Sequence, residues 1–274
     1  EAFPDAAEAG AIYARVMGGE HVRLEGRRFA HVRSGQVMDA WFDVVHNPVY
    51  GPTGKVLGSF NVWYERTEAV LAARRLHAIN RLATAPPAAN RRAAIEETLD
   101  LLQASADVPF AAAYLVDEAR RQGLLAGAFG VEAGGDLAPH QLSIRTQEEP
   151  WPLVKVVDEG RTVVVAGLAA HFHSQPKRHD RLLPEPGTKP APEPVFNPAS
   201  EPALDTPPDS AVIHPLRDEV ERRVIGALVL GTNPRLLLDA DYRAFLTVAA
   251  ETIEAKVAES HAQAREDERR AQLA

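Results

Sequence analysis

Residues 56–83 change period without a gap. In VLGSFNVWY (56–64), Val56, Phe60, Val62 and Tyr64 fall on one side and Leu57, Ser59, Asn61 and Trp63 on the other. This is the two-residue repeat of a strand. Only Glu65 and Arg66 separate it from TEAVLAARRLHAINRLA (67–83), where Ala72, Leu76, Ile79 and Ala83 recur at spacings of four and three. That spacing is the narrow seam of a two-helix coiled coil rather than the broad stripe of a core-facing helix. A strand passing straight into such a helix ties a sheet to a rod, and Leu76 and Ile79 are the residues expected to carry the rod's packing. Thr67 reads as the N-cap, with Glu68 favoured in the first turn by the helix dipole. Pro86-Pro87 ends the helix.

Upstream, residues 5–17 read as a helix stopped by Gly18-Gly19, and 22–32 and 36–46 as strands. Asn47-Pro48 and then Gly51-Pro52-Thr53-Gly54 form the turn into the next strand. Downstream, Ile95, Leu99, Leu102 and Ala106 line one helix face. Residues 110–117, 123–130 and 162–168 read as strands, Trp151–Glu159 as a short helix, and 211–218 pairs with 222–231 across Glu219-Val220-Glu221. From about Asp239 a long helix carries Tyr242, Leu246, Ala249, Ile253 and Val257 as its stripe, then fades into the polar AQAREDERRAQLA. A polar helix of this kind is stable only against a partner or a continuing chain. Ile253 and Val257 are therefore expected, with Leu76 and Ile79, to form dimer and transmission helices. Ten of the 21 prolines fall between 176 and 208. Proline removes backbone donors and disfavours helix before it, so 172–210 reads as an extended surface insertion.

The formal charge is -8 and no basic stripe with interleaved aromatics occurs, which argues against a nucleic-acid groove. No apolar run approaches the ~20 residues that span a bilayer. Cysteine is absent. Disulfides, thiolate metal sites, cysteine nucleophiles and a covalently attached bilin are thereby excluded, and a reducing cytoplasm is the fitting compartment. His171, His173 and His179 have spacings that zinc could use, but they sit beside the proline-rich segment without cysteine and read as a solvated loop, so no metal is expected. Ser174-Gln175-Pro176-Lys177 matches a Ser-x-x-Lys nucleophile only by chance, because a proline interrupts the helix that chemistry needs. Asp117, Glu118, Asp239 and Asp241 stand at element ends, where capping and solvation account for them. No catalytic constellation emerges. Tyr114, Phe129 and Trp151 either line a small-molecule pocket under the second sheet or form an ordinary core. His214, next to Pro215, reads as a hydrogen-bonded core or edge residue rather than a haem ligand.

Two resemblances organise these elements. Gly35 with Trp41-Phe42-Asp43-Val44, His46-Asn47-Pro48-Val49, Gly54-Lys55-Val56-Leu57-Gly58 and Glu65-Arg66-Thr67-Glu68 resemble the C-terminal part of a PAS domain, with Glu65 in place of the family's usual Asp. Phe110-Ala111-Ala112-Ala113-Tyr114-Leu115, Trp151-Pro152-Leu153, Ile213-His214-Pro215-Leu216, Gly226-Ala227-Leu228-Val229-Leu230-Gly231 and residues 239–246 resemble a GAF domain. The order of parts is similar to the sensory region of a bacterial multidomain sensor histidine kinase. The resemblance implies an α+β fold with antiparallel-sheet domains: a partial PAS domain over 1–68, a linker helix over 69–89, a GAF domain over 90–258, and the start of an output helix over 259–274. It implies a non-catalytic, cytoplasmic sensory module of a two-component protein, acting as a homodimer on a downstream kinase core and its response regulator. The resemblance allows either a small-molecule ligand or a partner as the sensed input and names neither. The absent initiator Met leads us to expect a longer parent chain. The alternatives are the same region serving a serine phosphatase or a diguanylate cyclase, or acting as a ligand-free dimerisation scaffold.

Overall fold

The strand alternation is realised as antiparallel pairing. The computed structural model describes residues 6–33, 36–146, 151–172, 206–218 and 223–273, a mixed α+β chain with two antiparallel sheets and a long C-terminal helix. The chain divides into two units: residues up to Arg74 together with Arg235–Leu237, and Arg75–Pro234 together with Leu238 onward. The expected insertion lies outside the described residues from 173 to 205. So do His173, His179, the Ser174–Lys177 pattern and the Glu219–Glu221 turn.

In the first unit, helix α1 (Ala6–Met17) precedes β1 (Val22–Arg33), β2 (Gln36–Tyr50) and β3 (Val56–Glu65), which form a sheet in the order β1-β2-β3. Ile12 and Val16 of α1 pack on Val22 and Leu24, and Phe29, Phe42 and Trp63 meet with ring centroids 5.1–5.8 Å apart. Asp39 is buried between Arg28, at 3.1 Å, and Arg235, at 2.7 Å. The turn expected at Asn47-Pro48 is instead strand, since Pro48 pairs with Ser59 and β2 continues to Tyr50. β1 pairs with β2 only as far as His46. Pro48 therefore has a neighbouring strand on one side only, where its missing N–H costs no ladder bond.

Helix α2 (Thr67–Ala83) follows β3 after one residue, as the period change requires. The N-cap expectation is corrected. The Thr67 Oγ1 accepts from Trp41 N at 3.0 Å and donates to Glu65 at 2.9 Å. The first helical bond runs from Val70 N to the Arg66 carbonyl. Thr67 thus joins the helix start to the central strand instead of satisfying its own helix. The guanidinium of Arg74 lies 5.4 Å from the Trp41 ring centroid. The buried stripe of α2 is Arg74, Ala78 and Leu82; Ala72 and Ala83 are exposed and Ile79 is half-buried.

The second unit is built on a six-stranded sheet. Its elements are α3 (Arg91–Leu102), β4 (Ala111–Val116), β5 (Gln122–Phe129), β6 (Gln141–Ser143), α4 (Leu153–Glu159), β7 (Val163–Ala166), α5 (Ala169–Phe172), β8 (Ser210–Asp218), β9 (Arg223–Gly231) and α6 (Ala240–Leu273). The strand order is β6-β5-β4-β9-β8-β7. Sequence reading missed β6 and α5, which at three and four residues are too short to show a period. Asn90 caps α3, its side chain accepting from Ala93 N at 3.0 Å. Helices α3 and α6 cover one face of the sheet, where Ile95 and Leu99 reach Gly127. α4 and Phe172 cover the other. No break in α6 separates residues 240–258 from the polar end. The helix is buried at intervals as far as Ser260, whose Oγ accepts from Ala88 N at 2.9 Å, and it is exposed from 265 to 272.

Candidate functional site

The α4-covered face of the second sheet is the most elaborate apolar environment described. Alternation along β4 places Ala112 and Tyr114 on it, with Phe110 just before the strand. β9 adds Ala227 and Val229, and β8 adds Ala211 and Ile213. Leu137, Ala138, Leu142, Ile144, Trp151, Leu153, Val156 and Val157 close over them. Trp151 is 0% exposed and its Nε1 donates to the Leu137 carbonyl at 2.9 Å. The Phe110 ring lies 6.3 Å from Trp151 and 5.3 Å from Phe172. Two glycines allow this packing. A Cβ at Gly231 would enter the Phe110 ring, and one at Gly226 would strike the Tyr114 carbonyl oxygen.

Among the described residues of this face, one buried side-chain polar atom is left without a partner. The Tyr114 hydroxyl is buried and has no hydrogen-bond partner among the described residues. Burial raises its pKa far above the usual phenol range, so it stays a neutral O–H able to donate or accept one bond. A buried hydroxyl without a partner costs free energy, so among the described residues of this face it is the atom beside which a polar group of a bound molecule would be favoured.

Of the three pocket candidates, the structure brings Tyr114 and Trp151 to one face and puts Phe129 on the other. Phe129 pairs with Ala111, while Ala112 on the Tyr114 face pairs with Ala128. A register shift between Ala113 and Tyr114 breaks the simple alternation across β5, so Phe129 belongs to the α3 side. Phe110, which lies two alternations before Tyr114, takes its place; period-two counting back from Tyr114 is the signal that identifies it. Phe172 carried no such signal.

The transmission candidates divide as well. Leu76 is 61% exposed. Ile253 and Val257 are buried in the second unit, where α6 packs on α3 and β8, so neither is open to a second copy. Their apolar stripe is used by their own sheet. His214, on the α6 side of β8, is also buried. Its Nδ1 is 3.3 Å from Thr162 Oγ1, and its Nε2 has no partner among the described residues. Burial first, and then the nearby Arg217 charge, lower its pKa to about 4. His171 lies 3.9 Å from Asp136, and no group of three or more metal-ligating side chains occurs among the described residues. A groove of about 460 Å³ lies between the end of α2 and α3, bordered by Arg81, Pro86, Glu97, Asp100 and Leu101, away from Tyr114. Among the described residues, no helix is long and apolar enough to cross a membrane.

No family model and no curated protein matches the chain. Solved structures similar to it include the GAF domain of an Acinetobacter phosphoenolpyruvate-protein phosphotransferase, at 15% identity and TM-score 0.43, covering 70% of this chain and 95% of that one. The corresponding GAF domain from Coxiella burnetii is similar at 15% identity and TM-score 0.44, covering 70% and 97%. A free methionine-R-sulfoxide reductase from Neisseria meningitidis, in complex with its substrate, is similar at 17% identity and TM-score 0.39, covering 72% and 92%.

Proposed function

We propose that this chain is a sensory module in which a GAF-type unit, joined through α2 to a PAS-type unit, reports occupancy of the Tyr114/Trp151 face through α6. The chain itself is non-catalytic. Its output is a histidine kinase core, acting with a response regulator in a two-component pathway in the cytoplasm. The observation that carries this reading is the form of α6. Its first five turns are embedded in the sheet through Tyr242, Leu246, Ala249, Ile253 and Val257, and the same unbroken helix continues as an exposed polar rod. A rearrangement of β8 or of α3, on which α6 packs, would therefore move the rod. A ligand that prefers one packing of the sheet would shift the population between two arrangements in proportion to its differential affinity.

The Tyr114 hydroxyl defines the ligand test. Native mass spectrometry of the purified protein and a thermal-shift screen against cyclic nucleotides, haem and bilins should yield one class that is retained and raises Tm. Tyr114→Phe should abolish that shift while stabilising the empty protein by about 1–3 kcal/mol, the cost of a buried unpaired polar group. A full ligand shift in Tyr114→Phe, or silence across the screen, overturns the site.

Self-association is assigned to the exposed side of α2. Leu76→Glu with Ile79→Glu should convert a dimer to a monomer in sedimentation velocity; an unchanged sedimentation coefficient removes this seam. A ligand-free dimerisation scaffold is the second reading. Its support is the dense filling of the Tyr114 face by Phe110, Trp151 and Phe172, and a silent ligand screen with an intact dimer selects it.

A further inference from the structure

The second unit grips α2 through Arg75. Its side chain is 11% exposed, and its Nε donates to Asp107 Oδ2 at 2.8 Å. The guanidinium lies 4.6 Å from the ring centroid of Tyr242 and 5.8 Å from that of Phe245, residues on the first turns of α6. Asp107 is fully buried in the connection between α3 and β4. Its backbone carbonyl accepts from the Tyr242 hydroxyl, which in turn accepts from Asn233 N at 2.8 Å. Asn233 Nδ2 closes the ring of contacts on the Ala106 carbonyl at 2.9 Å. Asp107 thus holds α2 by its carboxylate and α6 by its carbonyl, and one guanidinium spans the two helices.

We propose that Arg75 is a mechanical joint that makes the first turns of α6 follow the position of α2, so that the second unit integrates two inputs at Asp107. The proposal rests on the reading of α2 and α6 as signalling helices, and it adds the route by which α2 reaches the output. The chemistry suits a joint better than a staple. A buried ion pair adds little net stability over an apolar substitute, and its best-attested use is to fix register. Arginine can stack on an aromatic face and bond a carboxylate at the same time, which lysine's point charge cannot. Arg74, one position earlier and about 100° around the helix, is held in the first unit by Trp41. A roll of α2 that disturbs Arg74 therefore turns Arg75 against Asp107.

The test is a double-mutant cycle read by amide hydrogen exchange without ligand, so that it does not depend on the ligand screen. Thr67→Ala loosens the start of α2 on Trp41. In the parent protein it should speed exchange of residues 241–247 about tenfold while leaving β4 protected, as expected for a coupling of ordinary size. In an Arg75→Met background, where those amides already exchange fast, Thr67→Ala should change them less than twofold. Equal acceleration in both backgrounds, or none in the parent, overturns the joint. Where Arg75→Met also loses β4 protection, Arg75→Lys keeps the charge without the stacked fork and should show a reduced response to Thr67→Ala; an undiminished response there is equally fatal to the proposal.

Discussion

Trp151→Ala should destabilise the second unit by about 4–6 kcal/mol. Trp151 is fully buried and is the largest of the side chains so enclosed. Truncating a buried aromatic ring costs about 3–5 kcal/mol, through lost transfer free energy and the cavity left behind. The Leu137 carbonyl would also lose the indole N–H that it accepts, adding about 1 kcal/mol or more for a buried acceptor left unpaired. Trp151→Phe separates the two contributions: it keeps most of the ring, loses the hydrogen bond, and should cost about 1–3 kcal/mol. Urea unfolding followed by circular dichroism measures both. Indole added to Trp151→Ala should partly restore the midpoint, because an apolar cavity beside Phe110 accepts an apolar guest. A loss below about 1 kcal/mol for Trp151→Ala would mean that the α4-covered face collapses freely and is not a shaped site.

The alternation of β2 and β3 and the missing loop before α2 were legible because they are local: the period is written in consecutive residues. The direction of helical stripes was legible too, but not what they pack against. Ile253 and Val257 repeat at a coiled-coil spacing, and that spacing looks the same whether the neighbour is a second copy or the chain's own sheet. Here the sheet wins, since β8 and α3 already cover them. On α2 the apolar positions Leu76 and Ile79 drew attention, yet the helix turns Arg74 inward, an arginine that covers Trp41. Residue type alone gives the wrong face whenever a long cation is the buried group. Among the pocket candidates, Phe129 parts from Tyr114 and Trp151 for a similar reason. A one-residue register shift next to Tyr114 moves Phe129 to the opposite side, and a bulge leaves no mark in composition. The orphaned Tyr114 hydroxyl and the Asp107 node are products of long-range assembly, with partners more than a hundred residues apart in the case of Asp107 and Tyr242, so no window of sequence contains them.

Stability of the second unit should fall by about 2 kcal/mol between pH 7 and pH 5 because of His214, approaching a total loss of about 3 kcal/mol near pH 4. The ring is enclosed between β8 and α6. Its Nδ1 meets the Thr162 hydroxyl, its Nε2 has no partner among the described residues, and no carboxylate is bonded to it there. Arg217, three residues along the strand, adds a like charge, while its own N–H and guanidinium are taken up by Glu254 of α6 and the Gly160 carbonyl. The imidazole therefore stays neutral in the folded protein until about pH 4, whereas the unfolded chain takes up the proton near its ordinary value of 6.5. Above pH 6.5 neither state is protonated at this site and the full stability is present. As pH falls below 6.5 the unfolded state binds a proton that the native state refuses, so stability declines until the folded pKa is reached. The exposed carboxylates of Glu20 and Asp117, whose pKa values are lowered by the Arg15 side chain and by backbone N–H groups respectively, act below this range and do not mask it. His214→Gln removes the titration, so its stability should stay flat from pH 7 to pH 5 under the same urea titration. If the parent protein and His214→Gln lose stability in parallel over that range, the imidazole is already protonated or solvated in the native state. In that case β8 does not seal against α6 at this point, and α6 would follow the second unit through its other buried residues, Tyr242, Leu246, Ala249, Ile253 and Val257.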